Sequence, residues 1–357
     1  MILEDGQEWF GRFAACGLLF RKSECIFFFL FLMFLLISVM VNPAMFTEIP
    51  WPGTDAIQSF KTMLISIVLE AVPFILLGVL VSAALQAYVS ERWLARFLPQ
   101  NPVAGILVAC VFGILFPICE CGMIPVVRRL IAKGMPLYIG IVFMLVGLIV
   151  NPVVYAATYT AFRARPEMLY ARMGLALFVG ICIGWLIRYF VKTNPLKRVS
   201  ATLYAGAPEA GDHHHHHARG GNKLVSMLEH AGSEFFDMGK YLMLGAMATA
   251  AVQTFMPRDA LVDIGQGPVS SHLFMMGFAY ALSLCSTSDA FVASSFVHTF
   301  SFGSLLTFLV FGPMLDLKST FMMLSVFKTR FVVLLMVLIG CFVWIGAMFV
   351  EHFYFTA

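Results

Sequence analysis

Charged side chains are scarce in this sequence. Only 12% of the 357 residues are Asp, Glu, Lys or Arg, whereas soluble domains carry roughly 25%. Hydrophobic residues make up 60% of the chain and include 36 Phe and 22 Met. Apolar segments of about 20 residues recur, and that length crosses ~30 Å of hydrocarbon. The composition therefore excludes an ordinary soluble protein and predicts an all-α, polytopic membrane protein.

Features of several other protein classes are also missing. The net charge of +3 is too small to indicate nucleic-acid binding. The chain contains no GxxxxGK[ST] sequence, so ATP hydrolysis would need a partner subunit. It also contains no Cys-x-x-Cys pair, which is the usual spacing of redox thiols. We therefore expect neither an enzyme nor a bound cofactor.

A disulfide framework and a cleaved leader are not indicated either. Most of the eight cysteines lie inside apolar segments, whereas a secreted disulfide framework needs them in polar loops. Residues 25–42 form an apolar stretch longer than the core of a signal peptide, and no small-residue cleavage site follows it. We interpret residues 25–41 as a first membrane helix that is retained, with the N-terminus in the cytoplasm.

Changes in composition divide the chain into four segments. Residues 1–55 hold the first membrane helix, 56–191 and 224–357 are two mostly apolar membrane segments, and 192–223 form a linker rich in Gly, basic residues and His. Five consecutive histidines in the linker suit a transition metal, or they are a tolerated low-complexity insert. These residues are His213, His214, His215, His216 and His217.

The two membrane segments resemble each other. Residues 70–89, EAVPFILLGVLVSAALQAYV, align with residues 237–256, DMGKYLMLGAMATAAVQTFM. Nearly the same offset between the two segments also aligns further residue pairs, so that the shared register extends over more than 90 residues. A shared register over that length favours an internal duplication. The aligned pairs include Glu70 with Asp237, Gly78 with Gly245, Ser82 with Thr249, Cys119 with Cys285, and Asn151 with Asp316.

The distribution of Lys and Arg predicts the orientation of the segments. Each segment contains one broken stretch, and we interpret the two breaks as re-entrant hairpins. The cytoplasmic side then receives most of the basic residues, as the positive-inside rule requires. Each repeat crosses the membrane three times, so the second is inverted relative to the first, an arrangement found in transporters. The few basic residues assigned to the outer side are Lys61, Arg163, Arg165, Arg172 and Arg258.

The two breaks are the best candidates for a binding site, because irregular backbone at membrane depth must be buried in protein or line a wet cavity. Thiols suit soft metals and metalloids, while helix N-termini after each break, at Gly122 and Asp289, favour anions. A soft cation, a neutral metalloid and a sulfur oxyanion all stay open, and so does the interpretation of each cysteine as a small apolar residue. The candidate residues are Cys119, Glu120, Cys121, Gly122, Pro125, Cys285, Ser286, Thr287, Ser288 and Asp289, completed by Asn151, Pro152 and Asp316 where the neighbouring helices unwind.

Ionisable residues inside apolar segments are functional by default because they are costly in lipid. Glu70, Asp237, Asp316 and Lys318 are such residues. We expect the aligned carboxyls Glu70 and Asp237 to couple transport to protons. The alternative is a simple ion pair of either one with a nearby lysine, Lys61 or Lys240.

The break sequences also carry a family resemblance. FPICECGMIPVVRRLIAKGMP, NPVVYAATY, SLCSTSDAF and GPMLDLKS resemble the ArsP/YraQ-type predicted permease family over most of the chain, from about residue 62 to 350. The resemblance implies a multi-span permease of the bacterial inner membrane. Members with a known role export trivalent organoarsenicals such as methylarsenite, which implies Cys119, Cys121 and Cys285 as the first residues to test. Composition and spacing alone indicate no arsenic chemistry.

Taken with the residues, this resemblance predicts a secondary transporter that exports a soft, thiol-reactive solute. Two alternatives stay open: uptake of a sulfur compound such as thiosulfate, and a membrane thiol oxidoreductase that passes electrons among the same thiols. The expected partners are the lipid bilayer and the small solute, and a homo-oligomer or an accessory subunit is left open.

Overall fold

The computed structural model describes residues 54–88, 101–115, 119–191, 195–196, 223–255 and 268–355. Apart from the first residues of its first helix, this part of the chain belongs to one compact unit that begins at Ala56. The predicted first membrane helix (25–41) and the five histidines at 213–217 lie outside the described residues. The division of the chain into four segments therefore stays a prediction.

Twelve α-helices make up almost all of the described residues, and a short π-helical turn, Glu351–Phe355, follows the last of them. Within the same ranges the only β-pairing is an isolated bridge between Leu196 and Phe327. The helices are α1 (Thr54–Tyr88), α2 (Pro102–Leu115), α3 (Glu120–Ala132), α4 (Leu137–Ile149), α5 (Pro152–Ala161), α6 (Glu167–Phe190), α7 (Lys223–Phe255), α8 (Pro268–Leu282), α9 (Ser288–Ser295), α10 (Phe302–Met314), α11 (Leu317–Val326) and α12 (Thr329–Val350).

The same order of elements occurs twice. A long helix (α1 or α7) is followed by two short helices around a break (α2 and α3, or α8 and α9). A helix interrupted in its middle comes next (α4 and α5, or α10 and α11), and an unbroken helix closes the series (α6 or α12). The order of elements thus follows the duplication that the aligned sequences indicate.

Five helical stretches in the described ranges are long and apolar enough to cross a membrane, as judged by length and composition. Two of them consist of an interrupted pair, α4 with α5 and α10 with α11. Shorter apolar helices, α2 and α8, precede the two breaks. The prediction of an all-α, multi-pass membrane protein is confirmed. The five stretches are Ile57–Leu85, Leu137–Ala161, Glu167–Phe190, Phe302–Val326 and Thr329–Phe353.

Capping residues explain the two mid-span interruptions. Asn151 precedes α5 and its side-chain oxygen accepts the N–H of Val154 at 2.9 Å, while Pro152 has no N–H to continue α4. Asp316 precedes α11 and forms a capping box with Ser319. Both caps are buried, so each half of the molecule has a satisfied helix N-terminus in its interior.

The centre of the molecule is built from α4 and α10. Every residue of α4 from Tyr138 to Ile149 is buried, and so is every residue of α10 from Gly303 to Met314. Helices α2 and α6 pack against α4, α8 and α12 pack against α10, and α4 and α10 contact each other. A Cβ added to Gly113 would lie 2.9 Å from the backbone nitrogen of Gly147, so these small residues allow the close helix approach typical of membrane proteins.

Contacts between helix ends relate the two halves. The N–H of Lys328, between α11 and α12, donates to the carbonyl of Pro195, just beyond α6, at 2.9 Å. At another junction, the Arg165 guanidinium lies 4.4 Å from the centre of the Phe302 ring. The junction between α5 and α6 therefore lies beside the start of α10, and the end of α6 lies beside the junction between α11 and α12.

Candidate functional site

The first break leads into α3, whose first turn is buried. Cys119 is the N-cap residue, and α3 begins at Glu120, two residues before the predicted start. Glu120, Cys121 and Gly122 are all buried, as is Pro125 inside the helix. Helix α3 packs on α11 of the other half, so the first break faces the second interrupted helix.

The second break lies between α8 and α9 and is tied to α11. The Ser283 hydroxyl accepts the N–H groups of Leu317 and Lys318 at 3.1 and 3.4 Å. The backbone of Ser283 has a φ of 47°, in the left-handed region. Further along the loop, the N–H of Asp289 donates to the Cys285 carbonyl at 2.9 Å. Helix α9 begins at Ser288, one residue before the predicted start, and packs on α5 of the first half.

Thr287 belongs to the same loop, and its side chain orients the Cys285 thiol. Its hydroxyl donates to the Cys285 sulfur at 3.7 Å. Ser286 contributes a backbone carbonyl that accepts a hydrogen bond from the first half. Through the Ser286 carbonyl, the second break therefore contacts the first half.

A buried ion pair joins the two halves. Lys318 Nζ, in the first turn of α11, lies 2.8 Å from Glu120 Oε1 at the start of α3 and 3.9 Å from Asp316 Oδ2. All three side chains are at most 7% exposed. Because removing charges from water is costly, such a group is tolerated only with close partners. Two predicted site residues, Glu120 and Asp316, are thus brought together by Lys318.

Arg172 is a second buried base, and the sequence analysis did not place it in the site. The positive-inside count assigned it to the outer side, but its side chain is 0% exposed. Its Nη1 donates to the Thr158 hydroxyl at 2.8 Å, and its Nη2 donates to the Ser286 carbonyl at 2.9 Å. Arg172 on α6 therefore connects the first half to the second break.

Arg172 and Asp289 affect each other electrostatically without forming an ion pair. Asp289 exerts the largest charge effect on Arg172, and Arg172 exerts the largest on Asp289. Within the described ranges, Arg172 Nε and Asp289 Oδ2 are buried and have no hydrogen-bond partner. Asp316 Oδ2 also lacks a hydrogen-bond partner there. The site thus holds three buried polar atoms without a hydrogen-bond partner among the described residues, one donor on Arg172 and one acceptor on each of the two aspartates.

The thiols lie around these charges. Cys119 and Cys121 flank Glu120 at the start of α3, and Lys318 is among the charges within electrostatic range of Cys121. Cys285 of the second break also lies within the electrostatic range of Glu120. In the part of the chain that the structure describes, no group of three or more His, Cys, Asp or Glu side chains is arranged to hold a metal ion.

The structure describes the side chain of one of the two carboxyls that are predicted to couple protons. Glu70 is exposed on α1 and acts electrostatically on both Cys285 and Asp289, so it lies near the second break. Asp237 lies in α7, but its side chain is outside the described set.

Two further polar clusters escaped the sequence analysis. Glu234 on α7 accepts hydrogen bonds from Ser82 at 3.0 Å and from Arg129 at 3.2 and 3.3 Å. His272 is 1% exposed and bonds Glu351 at 2.7 Å through Nε2. The sequence feature that could have indicated both clusters is an acid or a histidine inside an apolar segment.

Comparison with known proteins agrees with this architecture. Residues 56–352 match the model of the ArsP_1 family, which is described as predicted permease. The UPF0718 protein YcgR of Bacillus subtilis is 48% identical over 291 residues, which cover 82% of this chain and 96% of that protein. A Streptococcus mutans protein named "Putative two-component membrane permease complex subunit" is 34% identical over 289 residues, 81% of this chain and 92% of that one.

No solved structure matches the chain. The family match nevertheless covers the whole region that contains both breaks, both interrupted helices and the buried charges between them. The predicted family is therefore confirmed: this chain is a multi-pass membrane protein that belongs to the ArsP_1 family of predicted permeases.

Proposed function

We propose that this chain is a secondary transporter that exports a soft, thiol-reactive solute, with trivalent organoarsenicals as the leading class. The observation that carries the proposal is the buried junction between the halves. There the acids Glu120, Asp289 and Asp316 and the bases Arg172 and Lys318 surround two thiol-bearing breaks. Ionisable groups and irregular backbone inside a membrane protein are typical of a solute or ion pathway.

An inverted relation between the halves is part of this proposal. It is supported by the contact of Arg165 with Phe302 and of Lys328 with Pro195. The first contact joins the end of α5 to the beginning of α10. In the two series of helices, however, α10 corresponds to α4, the helix before α5. We therefore propose opposite directions for α4 with α5 and for α10 with α11, as in transporters with inverted repeats. The proposed orientation places the N-terminus in the cytoplasm.

The loose arrangement of the thiols suits transport. A closed cage of three thiolates would hold a soft solute too firmly, whereas conduction needs sites that bind weakly enough to release. Cys119 and Cys121 at one break and Cys285 at the other offer sulfur ligands in the two halves of the molecule. We therefore propose that the solute is passed between thiols rather than enclosed by them.

The coupling role of Glu70 and Asp237 stays a proposal. Glu70 is supported by its exposure on α1 and by its electrostatic range to Cys285 and Asp289. A carboxyl at the edge of a buried site can exchange a proton with water and still influence the charges inside it.

A second subunit is a further part of the proposal. The name of the Streptococcus mutans relative describes a subunit of a two-component complex. Helix α1 exposes several large apolar side chains, among them Leu69, Phe74 and Leu77, and these face lipid, a second copy or an accessory subunit. Co-purification from membranes, followed by mass measurement of the native complex, distinguishes these three cases.

The direct test of the proposed function is the variant Cys121→Ser in cells challenged with methylarsenite. Cys121 is buried at the start of α3, and serine keeps its size while removing the soft ligand. We expect loss of resistance with unchanged abundance in the membrane. Cys341→Ser, at an exposed thiol of α12, is the matched control and should keep full resistance. Unchanged resistance in Cys121→Ser would reject the thiol-binding role.

Uptake of a sulfur oxyanion such as thiosulfate is the second candidate, and Arg172 favours it. A buried guanidinium with an unused N–H is a suitable anion ligand. Solute flux in inside-out vesicles, measured side by side for methylarsenite, thiosulfate and divalent metals, separates the candidates. Accumulation of methylarsenite alone supports export of organoarsenicals, and movement of thiosulfate out of the vesicles supports uptake.

A further inference from the structure

A buried histidine lies near the beginning of α8, whereas the second break follows the other end of this helix. His272 is 1% exposed. Its Nε2 lies 2.7 Å from Glu351 Oε2 in the π-helical turn, and its Nδ1 lies 2.8 Å from the Thr307 hydroxyl of α10. The Thr307 hydroxyl in turn lies 3.0 Å from the Gly303 carbonyl. Three elements of the second half therefore meet at one imidazole ring.

These contacts suit two protonation states of the ring. An ionised carboxylate only accepts, so Nε2 carries a hydrogen in both states. In the neutral ring, Nδ1 accepts the hydrogen of the Thr307 hydroxyl. In the charged ring, Nδ1–H donates to the Thr307 oxygen, and the hydroxyl hydrogen turns to the Gly303 carbonyl. The ring can thus bind or release one proton while only a hydroxyl hydrogen changes direction.

The corresponding helices of the first half meet through apolar side chains. Helices α2, α4 and α6 occupy the places of α8, α10 and α12 in the two series. A Cβ added to Gly184 on α6 would press against Val142 on α4 and would lie 3.7 Å from Ile106 Cδ1 on α2. All three residues are buried. Because apolar packing is sufficient at this junction and a buried charged pair must be desolvated, we attribute the polar group in the second half to function.

Glu351 connects the buried ring to the surface. Its side chain is 26% exposed, although it contacts a ring that is almost fully buried. A Cβ added to Gly303 would collide with the Glu351 carboxylate, so this carboxylate rests directly on the backbone at the start of α10. A partly exposed acid in contact with a buried histidine is an arrangement found in proton relays of transporters.

The other elements packed on α8 are α7, α10, α11 and α12. Helix α10 contains no ionisable side chain. Lys318 of α11 lies at the opposite end of α8, where its N–H donates to Ser283. The exposed His352 follows Glu351 in the same turn. Among the described residues, Glu351 is therefore the charged group whose contact with the His272 ring sets the stability of the imidazolium form.

We propose that His272 and Glu351 form a proton-binding site through which the transporter takes up the proton that drives solute export. This proposal rests on the proposed function, and the site is separate from Glu70 and Asp237. Arg165 contacts Phe302, the neighbour of Gly303, so the site lies at the end of α10 that the basic residues assign to the outside. Protons enter a bacterial cell from that side.

The proton balance of the step is simple. Water at the outer end gives a proton to His272 Nδ1, and the ring becomes a cation paired with the Glu351 carboxylate. Release of the same proton regenerates the neutral ring. The Thr307 hydroxyl turns back toward Nδ1 at that moment, and no other bond changes.

Nitrogen NMR tests the site without any solute. Purified full-length protein with nitrogen-15 in its histidines is measured in lipid nanodiscs, where imidazolium and neutral rings give different signals. Histidine ordinarily changes its charge between about pH 5 and pH 8. Within this range we expect the His272 signals, identified as those lost in His272→Gln, to change from imidazolium to neutral ring. A ring that keeps one form throughout would be a structural group, and the proposal would be wrong.

Transport in proteoliposomes tests the role of the bound proton. Accumulation of methylarsenite driven by a pH difference is compared with exchange of labelled for unlabelled methylarsenite at equal pH, which needs no net proton movement. His272→Gln and Glu351→Gln should lose accumulation and keep exchange. His298→Gln, at an exposed histidine before α10, is the matched control and should keep both.

The outcomes separate this proposal from the proposed function. Equal loss of accumulation and exchange in His272→Gln would assign the residue to the fold and contradict the proposal. If the unmodified protein moves methylarsenite in neither mode, the proposed function is rejected, and the driving role of the proton is rejected with it, whereas the NMR result still decides whether His272 binds a proton. Should His272→Gln fail to fold, Glu351→Gln, which keeps the shape of a partly exposed side chain, decides the transport test.

Discussion

The two breaks of this molecule each bring a buried acid toward a buried base of the other half, but they do so differently. At the first break, Glu120 and Lys318 lie 2.8 Å apart. At the second, no ion pair joins Asp289 to Arg172 among the described residues, and the Arg172 guanidinium donates to the Thr158 hydroxyl and the Ser286 carbonyl. The first contact therefore closes the junction between the halves with an ion pair, whereas the second leaves polar atoms of its charged groups without hydrogen-bond partners in the described part of the chain.

Removal of the ion pair between Lys318 and Glu120 should have the largest effect on stability. In Lys318→Met, both Glu120 and Asp316 lose their buried cation, and breaking a buried pair by removing one partner costs about 3–5 kcal/mol. We expect a strongly lowered midpoint of thermal unfolding in detergent, measured by the fraction of monodisperse protein that remains after heating.

A double variant isolates the charge effect in that experiment. Adding Glu120→Gln to Lys318→Met removes one of the two uncompensated acids, so part of the lost stability should return. Lys328→Met, at an exposed cation before α12, should change the midpoint little. Equal midpoints for Lys318→Met and the control variant would show that the 2.8 Å contact contributes nothing to the junction.

Alanine substitutions of two aligned glycines, Gly78 and Gly245, should have the next largest effect on stability. A Cβ added to Gly78 on α1 would lie 2.4 Å from the Cα of Gly122 in the first break, whereas one added to Gly245 on α7 would lie 3.0 Å from the Cα of Lys318. Overpacking costs about 1–3 kcal/mol, so Gly78→Ala should lower the unfolding midpoint more than Gly245→Ala.

Gly239, in the same helix as Gly245, provides the control because a Cβ there meets nothing within 4 Å. Gly239→Ala should raise the midpoint slightly, since alanine favours a helix over glycine by about 1 kcal/mol. A Gly78→Ala protein as stable as Gly239→Ala would contradict the close packing of α1 on the first break.

The smallest effect on stability is expected from substitution of Asp289. Asp289 has no ion pair to lose, and asparagine keeps its shape while removing a buried charge, so Asp289→Asn should change the free energy of unfolding by less than about 1 kcal/mol. The same thermal assay checks this. A loss as large as that of Lys318→Met would show that Asp289 and Arg172 form a structural pair.

The sequence predicted the breaks because the signals are local. Pro152 lacks an N–H, Asn151 and Asp316 are good N-caps, and these properties interrupt a helix wherever the chain goes. The predicted helix starts after the two breaks were wrong by one or two residues, since Glu120 and Ser288 already have helical geometry. The buried acids of the breaks were also recognisable, because charge inside an apolar segment requires an explanation.

Arg172 was not recognisable in the same way. It lies close to the start of α6, and a basic residue near a helix end is expected in a loop or at the membrane surface. Its partner carbonyl belongs to Ser286, which lies 114 residues away. Only the packing of α9 on α5 brings that carbonyl within reach. The role of Glu234 depends in the same way on Arg129, 105 residues distant, so tertiary contacts decided both cases.

The Ser283 hydroxyl has a consequence for motion of the second break. It satisfies two amide N–H groups at the beginning of α11, while its own backbone is held at a φ of 47°. A residue other than glycine in that region stores roughly 1–3 kcal/mol. Displacement of the loop would relax this torsion and at the same moment leave the two amides, one of them on Lys318, in need of a new acceptor. An incoming oxygen atom that supplies this acceptor would therefore hold the loop in its displaced position.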